Sequence, residues 1–505
     1  MKKLISLFLC VVLLMGLMPV ASAENSCGCG FSPVIYVGAL GCADIYRDAG
    51  LPTEQRLWQI DTDFILANIK PELLDLTLGI AASDYDKIGD VLIKVVNKTL
   101  GDLALDQNGD SAENVTAPSL NFPTNRSHNA DTQFYFNYDF RLDPYIHADR
   151  LNECIVELKR ITGHDKVQLK ASSMGGIVLS CYLERYGYDD VETIITQCSP
   201  LWGTAVAGEL FTGKFELNAI SLRRYAQGAL PYMEESDFIE GVIYSLTDVL
   251  LVTGVWSGLI ALGDNFVNKL IDRVYDEALV PIFGSMPGIW AFVPQEYYED
   301  SLEFMGTDKE SVLYEKIASY RIAQANLVDN LTVAKNDGVK LYFVCGYNVQ
   351  RTPLVSAWKN TSDGIVDTKY ASLGATCADL GEELSSEYIN NLSDKTYLSP
   401  DNMIDASTCA FPDNTWFLRD WLHCTGNAAL TEFYKYFLTS DEQITIDNEK
   451  YPQYLLYDTN AVTLTPVTKN LTAFEIFKMS PTFLNFIRML SEFITKLFYM
   501  LLGDR

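Results

Sequence analysis

Val167-Gln168-Leu169-Lys170-Ala171-Ser172-Ser173-Met174-Gly175-Gly176-Ile177-Val178 is the stretch on which the fold turns. An apolar run enters a serine flanked by small residues, then leaves into a helical pattern that reaches Tyr182-Leu183-Glu184-Arg185-Tyr186. Strand, serine, helix is the sequence form of a nucleophile elbow, in which a strained turn lifts the serine Oγ clear of a sheet edge. The small residues are steric requirements. A side chain at 175 would strike the turn, and Ala171 stands where the pattern G-x-S-x-G has its first glycine. The helix start adds backbone N–H groups and a positive dipole end beside the reacting oxygen. Alone, the stretch reads equally well as a serine in an ordinary strand–turn–helix link. The rest of the chain has to decide.

Upstream, Pro33-Val34-Ile35-Tyr36-Val37 reads as a buried parallel strand that closes in Gly38-Ala39-Leu40-Gly41-Cys42. Ligands bind at that edge of an α/β sheet. The loop therefore makes Leu40 a candidate oxyanion N–H, with Met174, the residue after the serine, as the second. Residues 50–130 read as a helical and loop-like insertion. Phe134 to Asp139 reads as a strand, 148–162 as a helix with Leu151, Ile155, Leu158 and Ile161 on one face, and Thr193 to Cys198 as the next strand. Strand alternating with helix predicts a central, mostly parallel sheet with helices on both faces. From 205 to 338 the rhythm gives way to helical, apolar sequence, read as a lid or cap. The strand pattern returns at Leu341 to Gly346, and a helix is expected at 427–438. The expected organisation is a core in two parts, 24–204 and 339–470, with the lid between them and an amphipathic helix in 471–505.

Residues 1–23 have the form of a cleaved signal peptide: Met1-Lys2-Lys3, an apolar run from Leu4 to Val20, then Ala21-Ser22-Ala23. An exported protein is expected. A net charge of −28 argues against nucleic acid and against general attraction to anionic membranes. Two segments remain candidates for lipid contact. Val242 to Leu262 carries a single charged residue, Asp248, but is broken by Gly254 and Gly258. The stretch 481–502 has a wide Phe/Leu/Ile face, and docking on its own domain or peripheral membrane contact would both use it. Of 11 cysteines, Cys10 leaves with the signal, and export permits disulfides among the remaining even number. Cys181, Cys198 and Cys345 sit in apolar runs that suit buried thiols. Cys27-Gly28-Cys29 resembles half of a metal site without a partner pair, so no zinc module is expected.

A serine hydroxyl needs an imidazole to take its proton and a carboxylate to orient that imidazole. After an elbow serine the chain order is serine, acid, histidine. Of four histidines only His423 follows Ser173; His128, His147 and His164 precede it and read as surface or structural. The acid belongs in the loop after the strand that follows the lid. Asp363 is there, with Asp367, Asp405 and Asp413 as the other candidates. Asp363-Gly364 is also an ordinary turn pair.

Four separated pieces resemble the lecithin–cholesterol acyltransferase family of α/β-hydrolases and, more loosely, bacterial lipases. Val34 to Gly41 is similar to that family's strand and Pro-Gly-x-x-Gly loop, with Gly38-Ala39 in place of Pro-Gly. Tyr138-Asp139-Phe140-Arg141 is similar to Tyr-Asp-Trp-Arg. Ala171 to Gly176 is similar to Gly-His-Ser-Met-Gly-Gly, and Ser362 to Val366 to Gly-Asp-Gly-Thr-Val. The resemblance implies an α/β-hydrolase fold with a helical lid and a Ser173/Asp363/His423 triad. It also implies a lipid or other acyl-ester substrate, and the serine mechanism needs no metal or organic cofactor. Hydrolysis and acyl transfer to an alcohol share the first half-reaction, so both remain open, as does oligomeric state. From another class, the departures and the acidic surface would suit a catalytically silent surface-binding protein on the same scaffold. A membrane-associated protein using 242–262 and 481–502 is a third reading.

Overall fold

Lys340–Tyr347 is buried along its whole length, and its side chains divide between cores on opposite sides of a sheet. Leu341 and Phe343 enter one core, Tyr342 and Val344 another. A strand covered on both faces reads as a continuous apolar run, which is how this one is written. The computed structural model describes residues 30–58, 68, 70–82, 84–117, 128–215, 272–351, 355–458 and 461–468. The signal-like 1–23, Cys27, Cys29, the stretch 242–262 and the stretch 481–502 lie outside the described residues.

The described strands, in chain order, are β1 (Val34–Val37), β2 (Ile45–Arg47), β3 (Gln55–Trp58), β4 (Val115–Thr116), β5 (Gln133–Phe136), β6 (Val167–Ser172), β7 (Val191–Gln197), β8 (Lys340–Tyr347), β9 (Thr376–Cys377), β10 (Ile404–Asp405), β11 (Thr415–Arg419), β12 (Tyr454–Asp458) and β13 (Thr463–Pro466). Eight of them form the main sheet, in the order β13-β12-β11-β8-β7-β6-β1-β5. Every pairing in it is parallel except β12 with β13. The molecule is therefore α/β with a large, mostly parallel central sheet. Register aligns Val37 with Ala171, Ala171 with Thr196 and Thr196 with Phe343, so β1, β6, β7 and β8 end along one rim.

Helices Pro144–Thr162, Gly175–Tyr186 and Val312–Asn336 cover one face, burying Leu151, Ile155, Ile177, Val178, Ala323 and Leu327 against Ile35, Leu169, Ile194 and Leu341. Helix Ala428–Leu438 covers the other. There Phe437 stacks on Tyr342 at 4.3 Å and packs on Trp416 at 4.7 Å.

Two local expectations need correction. The helix expected at 148–162 begins at Pro144, because the Asp143 carboxylate accepts the Tyr145 N–H at 3.0 Å and proline suits the first helical position. The 50–130 insertion is not only helical and loop-like. β3 and β4 pair antiparallel with β2, burying Leu57, Trp58 and Val115 in the main core. Both strands are too short for alternation to show in the sequence. Among the described residues no helix is long and apolar enough to cross a membrane. None of the eight described cysteines is bridged, and Cys181, Cys198 and Cys345 are buried.

Candidate active site

Ser173 follows the last residue of β6 and has φ +48°, a left-handed conformation that costs a non-glycine residue about 1–2 kcal/mol. The strain is held from both sides. The Ser173 N–H donates to Gln197 O at 2.9 Å, and the Gly176 N–H donates to Ser173 O at 2.9 Å. The glycines after it are spatial necessities. A Cβ on Gly175 would lie 2.3 Å from Val37 O, and one on Gly176 would lie 2.6 Å from Ser199 Cβ. The first contact seats the elbow helix directly on the end of β1.

His423 stands opposite. Its Nε2 is 2.9 Å from Ser173 Oγ, and its Nδ1 is 2.8 Å from Asp363 Oδ2. An ionised carboxylate only accepts, so Nδ1 donates to it, and in the neutral imidazole Nε2 is left to accept from the serine hydroxyl. Three residues separated by 190 and 60 positions thus form one hydrogen-bonded row.

The acid is tightly held. Ile365 and Val366 donate N–H bonds to Asp363 Oδ1 at 2.9 and 2.7 Å, leaving Oδ2 for the imidazole. The His423 N–H donates to Asp363 O at 2.8 Å, tying the two loops by backbone as well. Gly346 makes the approach possible: a Cβ there would lie 2.6 Å from Asp363 Cβ and 2.7 Å from Trp421 O.

The other candidate acids are engaged elsewhere. Asp367 accepts from the Ala205 N–H at 2.8 Å and Asn360 Nδ2 at 2.7 Å and pairs with buried Arg351 at 3.3 Å. Asp405 accepts the Ser407 N–H, and Asp413 the Tyr397 hydroxyl. His128 and His147 face backbone carbonyls, Phe31 O and Asp139 O; His164 packs edge-on against His128.

Burial opposes the charged His423 imidazole. Burial is the largest single influence, but the charges and hydrogen bonds of Asp363 and Cys424 together outweigh it and hold the imidazole pKa well above its ordinary value. Cys424 moves the opposite way. Donation from the Cys198 thiol lowers its pKa well below the ordinary thiol value against the cost of burial, and the His423 charge adds to the lowering. Each shift presupposes the charge of the other group, so the proton belongs to the pair. Cys198, buried beside them, is pushed well up.

Among the described residues, neither the Leu40 nor the Met174 N–H donates to another protein group. The Leu40 loop is braced from below. The Gly38 N–H donates to Phe136 O at 3.1 Å, and the Tyr138 hydroxyl donates to Gly38 O at 2.7 Å. No protein-family model matches the chain, and a search of curated proteins finds no match. Among solved structures, the chain is similar to "The crystal structure of Tle4-Tli4 complex", at 10% identity and a TM-score of 0.27, over 62% of this chain and 74% of that one. A likeness of that size does not bear on function. The site has to be judged on its own geometry.

Several residues of the site carry no warning in the sequence. Gly346 ends an apolar run and looks like any strand terminus. Gln197, whose Nε2 donates to Ser172 Oγ at 2.9 Å, reads only as strand, and Cys198 only as a buried thiol at a strand end. Cys424 could have been flagged by adjacency to His423. Arg351 had no visible partner, because Asp367 is its neighbour only in space.

Proposed function

We propose that the chain is an exported serine hydrolase of the α/β-hydrolase fold, related to the lecithin–cholesterol acyltransferase group and acting on a lipid or other carboxylic ester. The observation that carries this reading is the unbroken row Ser173 Oγ, His423 Nε2, His423 Nδ1, Asp363 Oδ2, with the serine in left-handed backbone at the C-terminal rim of the sheet. Ser173 attacks the ester carbonyl. His423 takes the hydroxyl proton and returns it to the leaving alcohol, while Asp363 holds the imidazole's tautomer and supports its charge. The Met174 and Leu40 N–H groups face the developing oxyanion, each contributing about 3 kcal/mol in comparable sites. Water then releases the acyl group from Ser173, or an acceptor alcohol takes it.

Of the segment expected as the cap, 205–338, helix Val312–Asn336 packs on the sheet face instead, which leaves residues 205–311 for the cap. Within them Gly288 lies so close to the core that a Cβ would sit 2.0 Å from Phe140 O and 3.0 Å from Met174 Cε. Export rests on the charged, apolar and Ala-Ser-Ala sequence of residues 1–23.

The test is labelling by a fluorophosphonate, together with turnover of acyl esters of graded length, with and without phospholipid and an acceptor alcohol. Ser173→Ala is expected to lose labelling and at least about 10⁴-fold in turnover while keeping the wild-type unfolding transition. Retained turnover in that variant, or a wild-type chain that neither labels nor turns over any ester, would sink the proposal.

A further inference from the structure

The triad uses both nitrogens of His423, yet the imidazole has further neighbours. Cys198 Sγ, Cys424 Sγ and a His423 ring nitrogen all lie within 4.8 Å of one another. Cys198 follows directly on β7 and Cys424 directly follows His423, so two different elements deliver the thiols to one point. Both cysteines have left-handed backbone, at φ +51° and +57°. Cys198 is anchored by its N–H, which donates to Val344 O at 3.0 Å, and the Ser172 hydroxyl sits 3.3 Å from Cys424 Sγ.

We propose that Cys198, Cys424 and His423 form a site for a soft divalent cation, Zn²⁺ in particular, and that its occupation shuts off the triad. Two thiolates and one imidazole are a common zinc donor set, with the fourth position left to water or a neighbouring hydroxyl. Zn–S bonds of about 2.3 Å and Zn–N bonds of about 2.0 Å set tetrahedral ligand atoms roughly 3.5–3.8 Å apart. The three side chains therefore need only a small closing movement. Binding deprotonates two thiols and is not a redox step: one cation enters, two protons leave, and the imidazole contributes a lone pair. Either ring nitrogen gives the same result. A cation on Nε2 displaces the Ser173 hydroxyl, and a cation on Nδ1 displaces Asp363.

Shut-off rests on the hydrolase reading, but occupation does not, so the experiment reads them separately. The full chain, reduced with a phosphine, is titrated with Cd²⁺ as a spectroscopic stand-in. The ultraviolet thiolate-to-cadmium charge-transfer band and the number of ions bound are recorded. Wild type is expected to bind one more Cd²⁺ per chain than the double variant Cys198→Ser/Cys424→Ser, with a matching loss of the band. Zn²⁺ is expected to slow alkylation of Cys424 in the wild-type chain at least tenfold, mapped by peptide mass, while leaving Cys42 and Cys377 unchanged. That measurement stands if the double variant fails to fold. Equal Cd²⁺ binding by wild type and double variant, or Cys424 alkylation indifferent to Zn²⁺, would overturn the site. Loss of fluorophosphonate labelling at one equivalent of Zn²⁺, restored by a chelator, is the expected shut-off. If the cation binds but the metal-free chain never labels, the site stands and the hydrolase reading falls. If the metal-free chain labels but no cation binds, only the site falls.

Discussion

Two loops leave the same rim of the sheet and are held in opposite ways. The loop 361–367, beyond β8, is fastened at almost every residue. Thr361 Oγ1 accepts the Asn348 N–H, Ser362 Oγ accepts the Gly364 N–H, two N–H groups grip one Asp363 oxygen, and Asp367 meets Arg351, Asn360, Thr204 and Ala205. The loop 38–42, after β1, is fastened at its ends. Gly38 and Cys42 make backbone bonds, Tyr138 props the Gly38 carbonyl, and among the described residues the Leu40 N–H has no acceptor. Under the proposed function, the difference follows from what each loop has to present. A carboxylate that orients an imidazole must have a single position, whereas an N–H that meets an oxyanion must keep its hydrogen for the substrate.

The acid loop should therefore fail hardest. Asp363→Asn keeps the side-chain shape but presents an amide to Nδ1, which no longer fixes the tautomer. Turnover is expected to drop on the order of 10⁴-fold with little change in unfolding temperature. An effect below tenfold would mean that the fastening serves the fold and not the chemistry.

Next in size is Arg351→Ala. Arg351 and Asp367 are a buried pair, with 1% and 2% of their side chains exposed. Removing one partner leaves a buried charge without its counter-ion, at a cost of about 3–5 kcal/mol. Chemical denaturation should show that loss, and ester turnover should fall with it as the Asp363 turn loosens. Full stability in this variant would show that Asn360, Thr204 and the Ala205 N–H hold the loop without the cation.

How much of this was readable beforehand follows the same division. Val167 to Val178 carries its own geometry: strand, serine and two glycines sit in consecutive positions, and each glycine is explained by one nearby atom. The parallel sheet was legible because buried strands such as Leu341 to Gly346 are continuous apolar runs. Chain order pointed to His423 and offered Asp363 among several acids; what separates it from Asp367 is a contact across space. Gly346, Arg351 and Cys198 were illegible for the same reason. Each acts on a partner more than ten residues away, and no local periodicity records it. β3 and β4 were missed because a strand of two to four residues at a sheet edge has too little alternation to be seen.

The support of the 38–42 loop offers a gentler test. His147 packs on Tyr138, the residue that props Gly38 O, with rings 4.8 Å apart and Nε2 2.7 Å from Asp139 O. Burial lowers its pKa from an ordinary 6.5 to about 4, although the Asp139 charge works the other way. The unfolded chain therefore takes up a proton near pH 6.5 that the folded chain refuses until about pH 4. The stability contributed is intact above pH 6.5 and declines as pH falls through that window, by about 3 kcal/mol in all. Denaturation midpoints for wild type and His147→Gln between pH 7 and 4 should show a shallower acid decline in the variant. Parallel curves would mean that His147 titrates alike in the folded and the unfolded chain.

The smallest effect should come from Tyr138→Phe, and it is the most direct probe of the looser loop. The hydroxyl makes one buried bond to Gly38 O, and phenylalanine keeps the ring against His147 and Phe136. A single neutral hydrogen bond contributes about 1 kcal/mol, and here the carbonyl left behind loses its side-chain partner as well. Stability should fall by about that amount. If the bond also sets where the Leu40 N–H points, kcat should fall severalfold with KM nearly unchanged, because an oxyanion donor acts only in the transition state. A variant that loses stability but keeps kcat would show that Tyr138 braces the fold alone, and that the open N–H of this loop is positioned by the β1 backbone and the elbow helix resting on it.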